Sequence, residues 1–136
     1  MKTIFSLVAE GVVNDSRTNN VSIFNMLSQL AGPSLPFFVQ KMVYFALIEI
    51  GKDDKSNKSY DLNLVVKNNK NTLLEHNLRL NFQGKKRNRQ IVEIGGLGIP
   101  SPGNVSFTLS WGNKKLSKYS IDIVKTGQAS VEDISN

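Results

Sequence analysis

Tyr60-Asp61-Leu62-Asn63-Leu64-Val65-Val66-Lys67 is the stretch that decides the fold. Tyr60, Leu62, Leu64 and Val66 share one face, while Asp61, Asn63 and Lys67 share the other. Successive side chains of an extended chain point to opposite sides, so this period of two describes a strand with one dry face and one wet face. The same alternation continues outward. Leu74, His76, Leu78, Leu80 and Phe82 oppose Glu75, Asn77, Arg79 and Asn81. Val105, Phe107, Leu109 and Trp111 oppose Ser106, Thr108 and Ser110, and Tyr119, Ile121 and Ile123 oppose Ser120 and Asp122. Four half-buried antiparallel strands follow from this pattern.

Four further segments complete the set: Thr3 to Val13, Val21 to Leu30, Phe37 to Ile50 and Arg89 to Gly95. The first and third are apolar on both faces. Phe37 to Ile50 is the one place where a helix competes, because it is long and apolar all round. Its Val, Ile, Phe and Tyr content favours a strand, buried on both sides or bent across two sheets. Turn signals separate the segments at Asn14-Asp15-Ser16, Gly32-Pro33, Gly51 to Ser59, Asn68 to Asn71, Gly84, Pro100 to Gly103 and Gly112-Asn113. Eight strands without a convincing helix predict a single antiparallel β-sandwich over residues 1–125, followed by a polar tail, 126–136.

Composition narrows the chemistry. The 136 residues are 40% hydrophobic and 21% charged, as in one ordinary globular domain. There is no cysteine, which excludes disulfides, thiolate metal sites and cysteine nucleophiles. The single histidine, His76, leaves little for acid–base or metal chemistry. Seventeen basic residues stand against 11 acidic ones, a net +6. The tail holds Glu132 and Asp133 and no base, so the remaining 17 bases and nine acids give the domain +8. Such a balance suits an anionic partner or plain solubility. Glu10 interrupts the apolar start and no small-x-small cleavage site follows, so a cytoplasmic protein is expected. Gln40, Lys41 and Glu49 interrupt the longest apolar stretch, and no membrane association is expected.

Leu7-Val8-Ala9-Glu10-Gly11-Val12, Asn20-Val21-Ser22-Ile23-Phe24-Asn25, Pro36-Phe37-Phe38 and Ile99-Pro100-Ser101-Pro102-Gly103 occur in an order that resembles a family of small bacterial proteins of unknown function. The resemblance covers residues 2 to about 125. It implies a β-sandwich and bacterial or phage ancestry, and it supplies no catalytic residue.

Each candidate site has a plainer competitor. His76 lies on the apolar face of its strand, where a histidine hydrogen-bonded at the core margin is the simpler reading. Gly95-Gly96-Leu97-Gly98-Ile99-Pro100 lacks the third glycine of a dinucleotide loop and the Gly-Lys-Ser/Thr of a triphosphate loop. It reads as a structural crossover, with Pro102-Gly103 at the centre of a type II turn. Asp53-Asp54, among lysines, reads as a solvated loop, and nothing brings Glu10, Glu49 and Glu93 together as paired carboxylates. Trp111, Tyr119 and Tyr60 could form a sugar platform, but their alternation points them inward. No catalytic residue, cofactor or metal is therefore expected.

The basic run Lys85-Lys86-Arg87-Asn88-Arg89 is the densest charge in the chain. It reads either as a solvated hairpin tip that discourages edge aggregation or as a phosphate-contacting loop, residues 84–90. If consecutive strands run antiparallel, every second connection emerges at the same end. Lys85, Lys86, Arg87, Arg89, Lys114, Lys115 and Lys118 then gather at one pole, and Pro33 and Pro102 lie at the other. The leading expectation is a non-catalytic binding or structural module. Nucleic-acid binding through the basic pole is the alternative, and an enzyme with a loop-built site is the third reading.

Overall fold

The computed structural model describes residues 1–126, so the expected polar tail lies outside the described residues except for Thr126. Nine strands follow one another with no helix among them: β1 (Lys2–Asn14), β2 (Val21–Met26), β3 (Gln29–Gly32), β4 (Phe37–Glu49), β5 (Ser59–Asn68), β6 (Asn71–Asn81), β7 (Arg87–Ile99), β8 (Gly103–Trp111) and β9 (Lys114–Lys125). They form a four-stranded sheet, β2-β1-β4-β7, and a five-stranded sheet, β3-β9-β8-β5-β6.

Alternation places the core. Leu62, Leu64, Leu78, Leu80, Val105, Phe107, Leu109, Ile121 and Ile123 are all buried, as the period of two predicts. The four-stranded sheet answers them with Val8, Met42, Tyr44, Ala46, Ile48, Val92 and Ile94. Tyr44 and Phe107 stack across the sheets with ring centroids 6.1 Å apart. Burial raises the pKa of the Tyr44 hydroxyl, an effect that hydrogen bonds with Ser117 and Ser6 partly offset.

Four expectations change. The segment Val21 to Leu30 is two strands, because Leu27 and Ser28 carry the chain from one sheet to the other. The Leu27 N–H still bonds to Val8 O in the first sheet, and Ser28 O accepts from Asp122 N–H in the second. The sandwich is also not wholly antiparallel. β3 arrives by that crossing rather than by a hairpin, and it pairs parallel to β9. The Gly95–Ile99 stretch is strand rather than crossover, and Leu97 and Ile99 pair with Val39 and Phe37 in unbroken register. Finally, His76 is exposed. It pairs with buried Leu64 and so takes an inward position, but β6 is the edge of the wider sheet and the narrower sheet leaves that position open.

β1 explains why β4 is apolar on both faces. Phe5 pairs with Leu47, which pairs with Arg89. A straight β1 would carry Asn14, nine residues further on, roughly 30 Å away. Yet Arg89 Nη1 donates to Asn14 Oδ1 at 2.8 Å, and its Nη2 donates to Asn19 O at 2.7 Å. The β1–β2 hairpin therefore turns back across the outer face of its own sheet. The bend falls between the pairs Ala9–Met26 and Gly11–Phe24, where Asn25 has φ 53° and donates its Nδ2 to Glu10 Oε2 at 3.0 Å. Asparagine tolerates this left-handed conformation because its short amide bonds locally. Val43 and Phe45, only 2% exposed, and Ala9 are buried here, apart from the main core.

Candidate functional site

The chain passes from β6 in one sheet to β7 in the other through a tight turn. Gln83 and Gly84 have φ 52° and 75°, and Lys85 N–H bonds to Phe82 O at 2.9 Å, the pattern of a type I′ turn. Asn81 Oδ1 accepts from Gln83 N–H at 2.9 Å, and Ser56 O accepts from Gly84 N–H at 3.0 Å, which anchors the turn from both sides. Lys86 O then accepts from Ile50 N–H at 2.8 Å and starts the ladder with β4. The backbone is fixed, while Lys85, Lys86 and Arg87 project into solvent.

These side chains rim a groove of about 780 Å³ between the turn and the folded-back hairpin. Its apolar lining is Phe5, Val21, Ile23, Phe45, Leu47 and Phe82, and its amides are Asn19, Asn81, Gln83 and Asn88. Its charged groups are Lys85, Lys86, Arg87 and Arg89, with no carboxylate among the lining residues. Arg87 Nε lies 3.9 Å from Glu49 Oε1, and Arg89 is committed to the hairpin tip. Lys85 and Lys86 form no ion pair among the described residues. Phe5 stacks on Phe45 with centroids 5.5 Å apart, and Phe5 remains 41% exposed. The groove thus combines two uncommitted cations, one lightly paired cation, an accessible ring and a row of amides.

The seven basic residues singled out from sequence do not share this site. Lys85, Lys86, Arg87 and Arg89 line the groove. Lys114 and Lys115 stand at the same end of the sandwich but outside it, and Lys114 Nζ donates to Met1 O at 3.1 Å. Lys118 pairs with Thr108 on the outer face of the other sheet, in a separate shallow hollow with Lys67 and Lys70. The polar arrangement matches the expectation for Lys85, Lys86, Arg87, Arg89, Lys114 and Lys115 and for the two prolines, but not for Lys118, which lies part-way along β9 beside Lys67 and Lys70. Glu49, Arg87 and Lys2 meet at one end, while Pro33 and Pro102 follow Gly32 and precede Gly103, which pair with Lys125 and Ile123 at the other. The loop at residues 15–20 reaches the basic side because β1 folds back, not because strands simply alternate.

Asp53 is exposed as expected, but Asp54 departs from the solvated-loop reading: its side chain is nearly buried and ion-paired to the Met1 ammonium group. Burial by itself would raise its pKa. Hydrogen bonds from that ammonium and from Gly51 N–H at 2.8 Å outweigh burial, with the charges of Met1 and Lys114 adding to them, and the pKa is lowered. Among the described residues no three of His, Cys, Asp and Glu converge as a metal-ligand set.

Sequence reasoning missed Phe5, Val21, Ile23, Phe45 and Leu47 as partners of the basic run. The available signal was the second apolar face of β1 and β4, which demanded a cover the eight-strand reading did not supply.

The fold and groove define an all-β, two-sheet sandwich with a basic, partly apolar recess on one outer face. The chain belongs to the family of unknown function DUF6941, which it matches over residues 4–124, from the first strand to the last. No curated protein matches it. Membership assigns no activity.

Proposed function

We propose that this protein is a non-catalytic binding module whose site is the basic groove beneath the β1–β2 hairpin, and that its partner is anionic. The observation that carries the reading is that Lys85, Lys86, Arg87 and Arg89 border one 780 Å³ recess with no lining carboxylate. A concave site lined by one sign of charge concentrates its field and steers a counter-charged partner. The groove's charged groups are two lysines and two arginines, whose contribution in this reading is attraction and positioning. Cytoplasmic action in a bacterium completes the reading. It is supported by the resemblance to bacterial proteins; among the described residues no helix is long and apolar enough to cross a membrane.

The test is retention on immobilised heparin, eluted with a salt gradient, for the protein and for Lys85→Glu/Lys86→Glu. Arg87 is spared because a glutamate there would face Glu49. The double variant should fold normally and elute at clearly lower salt. Equal elution of the two proteins would remove the groove as the anion site.

A further inference from the structure

Resting on that reading of the groove, we propose that its ligand is single-stranded nucleic acid, with a base stacked on Phe5 and phosphates held by Lys85, Lys86 and Arg87. The basic run in sequence has no adjacent aromatic that could stack on a base, because Phe82 faces the core. The fold supplies one from 80 residues away: the register Phe5–Leu47–Arg89 places the Phe5 ring two strands from Arg89. Strands are spaced about 4.8 Å apart, so Phe5 and Arg89 stand on the order of 10 Å apart across the sheet, and Arg87, Lys86 and Lys85 follow from Arg89 towards the turn on the rim of the same groove. Stacking on an aromatic beside a cationic track is the sequence-tolerant way proteins hold single strands.

Phe5 suits the role because Phe45 supports it, which fixes the ring while leaving 41% of the residue exposed. Asn19 and Gln83 add donors and acceptors that can meet base edges. An acidic peptide fits less well. Peptides commonly dock by adding a strand to a free sheet edge; the edge beside the cations is β7, and a strand added there would lie on the far side of β7 from the Phe5 ring, which stands two strands in. A duplex fits less well too, because its bases are already stacked on one another and offer the ring no face.

Fluorescence anisotropy of labelled oligothymidylate, its hybridised duplex and a Glu/Asp copolymer, each over a salt series, decides the matter. Oligothymidylate should bind tightest, with a log–log salt slope of about −2 for three phosphate contacts. Lys85→Ala/Lys86→Ala should bring the slope to about −0.7. Phe5→Leu keeps an apolar side chain against Phe45 but removes the ring. It should weaken oligothymidylate roughly five- to hundredfold with the slope unchanged. Unchanged affinity in a folded Phe5→Leu protein, or a duplex bound as tightly as the single strand, overturns the proposal. Binding of the copolymer without the oligonucleotide also overturns it but leaves the groove as an anion site. If none of the three polyanions binds at low salt, both readings fall.

Discussion

Replacing Asn68 by alanine removes an amide with no exposed surface that ties β5 to the loop between β7 and β8. Its Nδ2 donates to Ser101 O and Asn104 O, both at 3.0 Å, and its Oδ1 accepts from Ser101 N–H at 2.9 Å. Each bond contributes about 1 kcal/mol net, and deletion leaves backbone groups without partners where water enters poorly. The expected loss is therefore about 3 kcal/mol, which at this chain length lowers Tm by roughly 10 °C. Asn68→Asp keeps the shape and the acceptor but sets a carboxylate against two carbonyl oxygens. It should cost more than alanine at neutral pH and recover towards the alanine value as acid protonates the new side chain. Urea unfolding of both variants, with Asn77→Ala as an exposed control, measures the difference. A loss below about 1 kcal/mol for Asn68→Ala, with an unchanged m-value, would refute the assignment of this amide as the fastener of the loop.

Gly103 has φ 124°, and a Cβ there would sit 2.2 Å from Asn69 Oδ1. Gly103→Ala should cost roughly 2–3 kcal/mol, against about 1 kcal/mol for Gly84→Ala, where φ is also positive but the space is open, and equal losses would sink the steric argument. Asp54→Asn should lower Tm at neutral pH. Because the folded-state pKa of Asp54 lies below its ordinary value of 3.8, its contribution is complete above that value and is lost as pH falls through the folded-state value. The gap between variant and parent should therefore close in acid, and a constant gap across the titration contradicts the ion pair. Arg89→Ala removes the bonds to Asn14 and Asn19. Hydrogen exchange in β2 should accelerate roughly 5- to 30-fold while β5 and β8 stay protected, and unchanged exchange means the hairpin is held elsewhere. His76→Ala, at an exposed position, should change stability by less than about 0.5 kcal/mol in thermal unfolding.

What was legible in the sequence follows a physical line. Period-two alternation records which side of a strand is dry, and it assigned the inner faces of β5, β8 and β9 residue by residue. It does not record how wide the facing sheet is. His76 sits at an inward position on an edge strand, and its exposure depends on a four-stranded sheet failing to cover a five-stranded one. Nor does alternation mark a change of sheet. Leu27 and Ser28 continue an apolar run with no glycine or proline to announce the crossing, and the bonds that separate β2 from β3 come from Val8 and Asp122, far away in sequence. Gly95 to Ile99 was misread because glycine and proline punctuate loops more often than they line strands. Packing does not require glycine at Gly98, where a Cβ would meet the Phe38 ring at an ordinary contact distance of 3.7 Å.

The groove belongs to the same line of argument. The four basic side chains were visible because charge runs are local, but the surface that gives them a setting is non-local. β4 has two apolar faces and one sandwich core, so its outer face needed a second cover. The chain provides it with its own β1–β2 hairpin, bent at Glu10 and Asn25 and clasped by Arg89. The cover is incomplete towards the basic end, where Phe5 and Leu47 line the groove beside Arg87. Site and second core are thus one structural event: the bend that buries Val43 and Phe45 also sets an accessible ring beside Lys85 and Lys86. A change that straightens the bend, such as Asn25→Val, which disfavours φ 53° at a β-branched residue, should expose Phe45 and dissolve the groove while the main core stays folded. Proteolysis within the hairpin with retained near-ultraviolet circular dichroism would be the signature. Loss of the whole tertiary fold instead would show that the hairpin and the sandwich form a single cooperative unit.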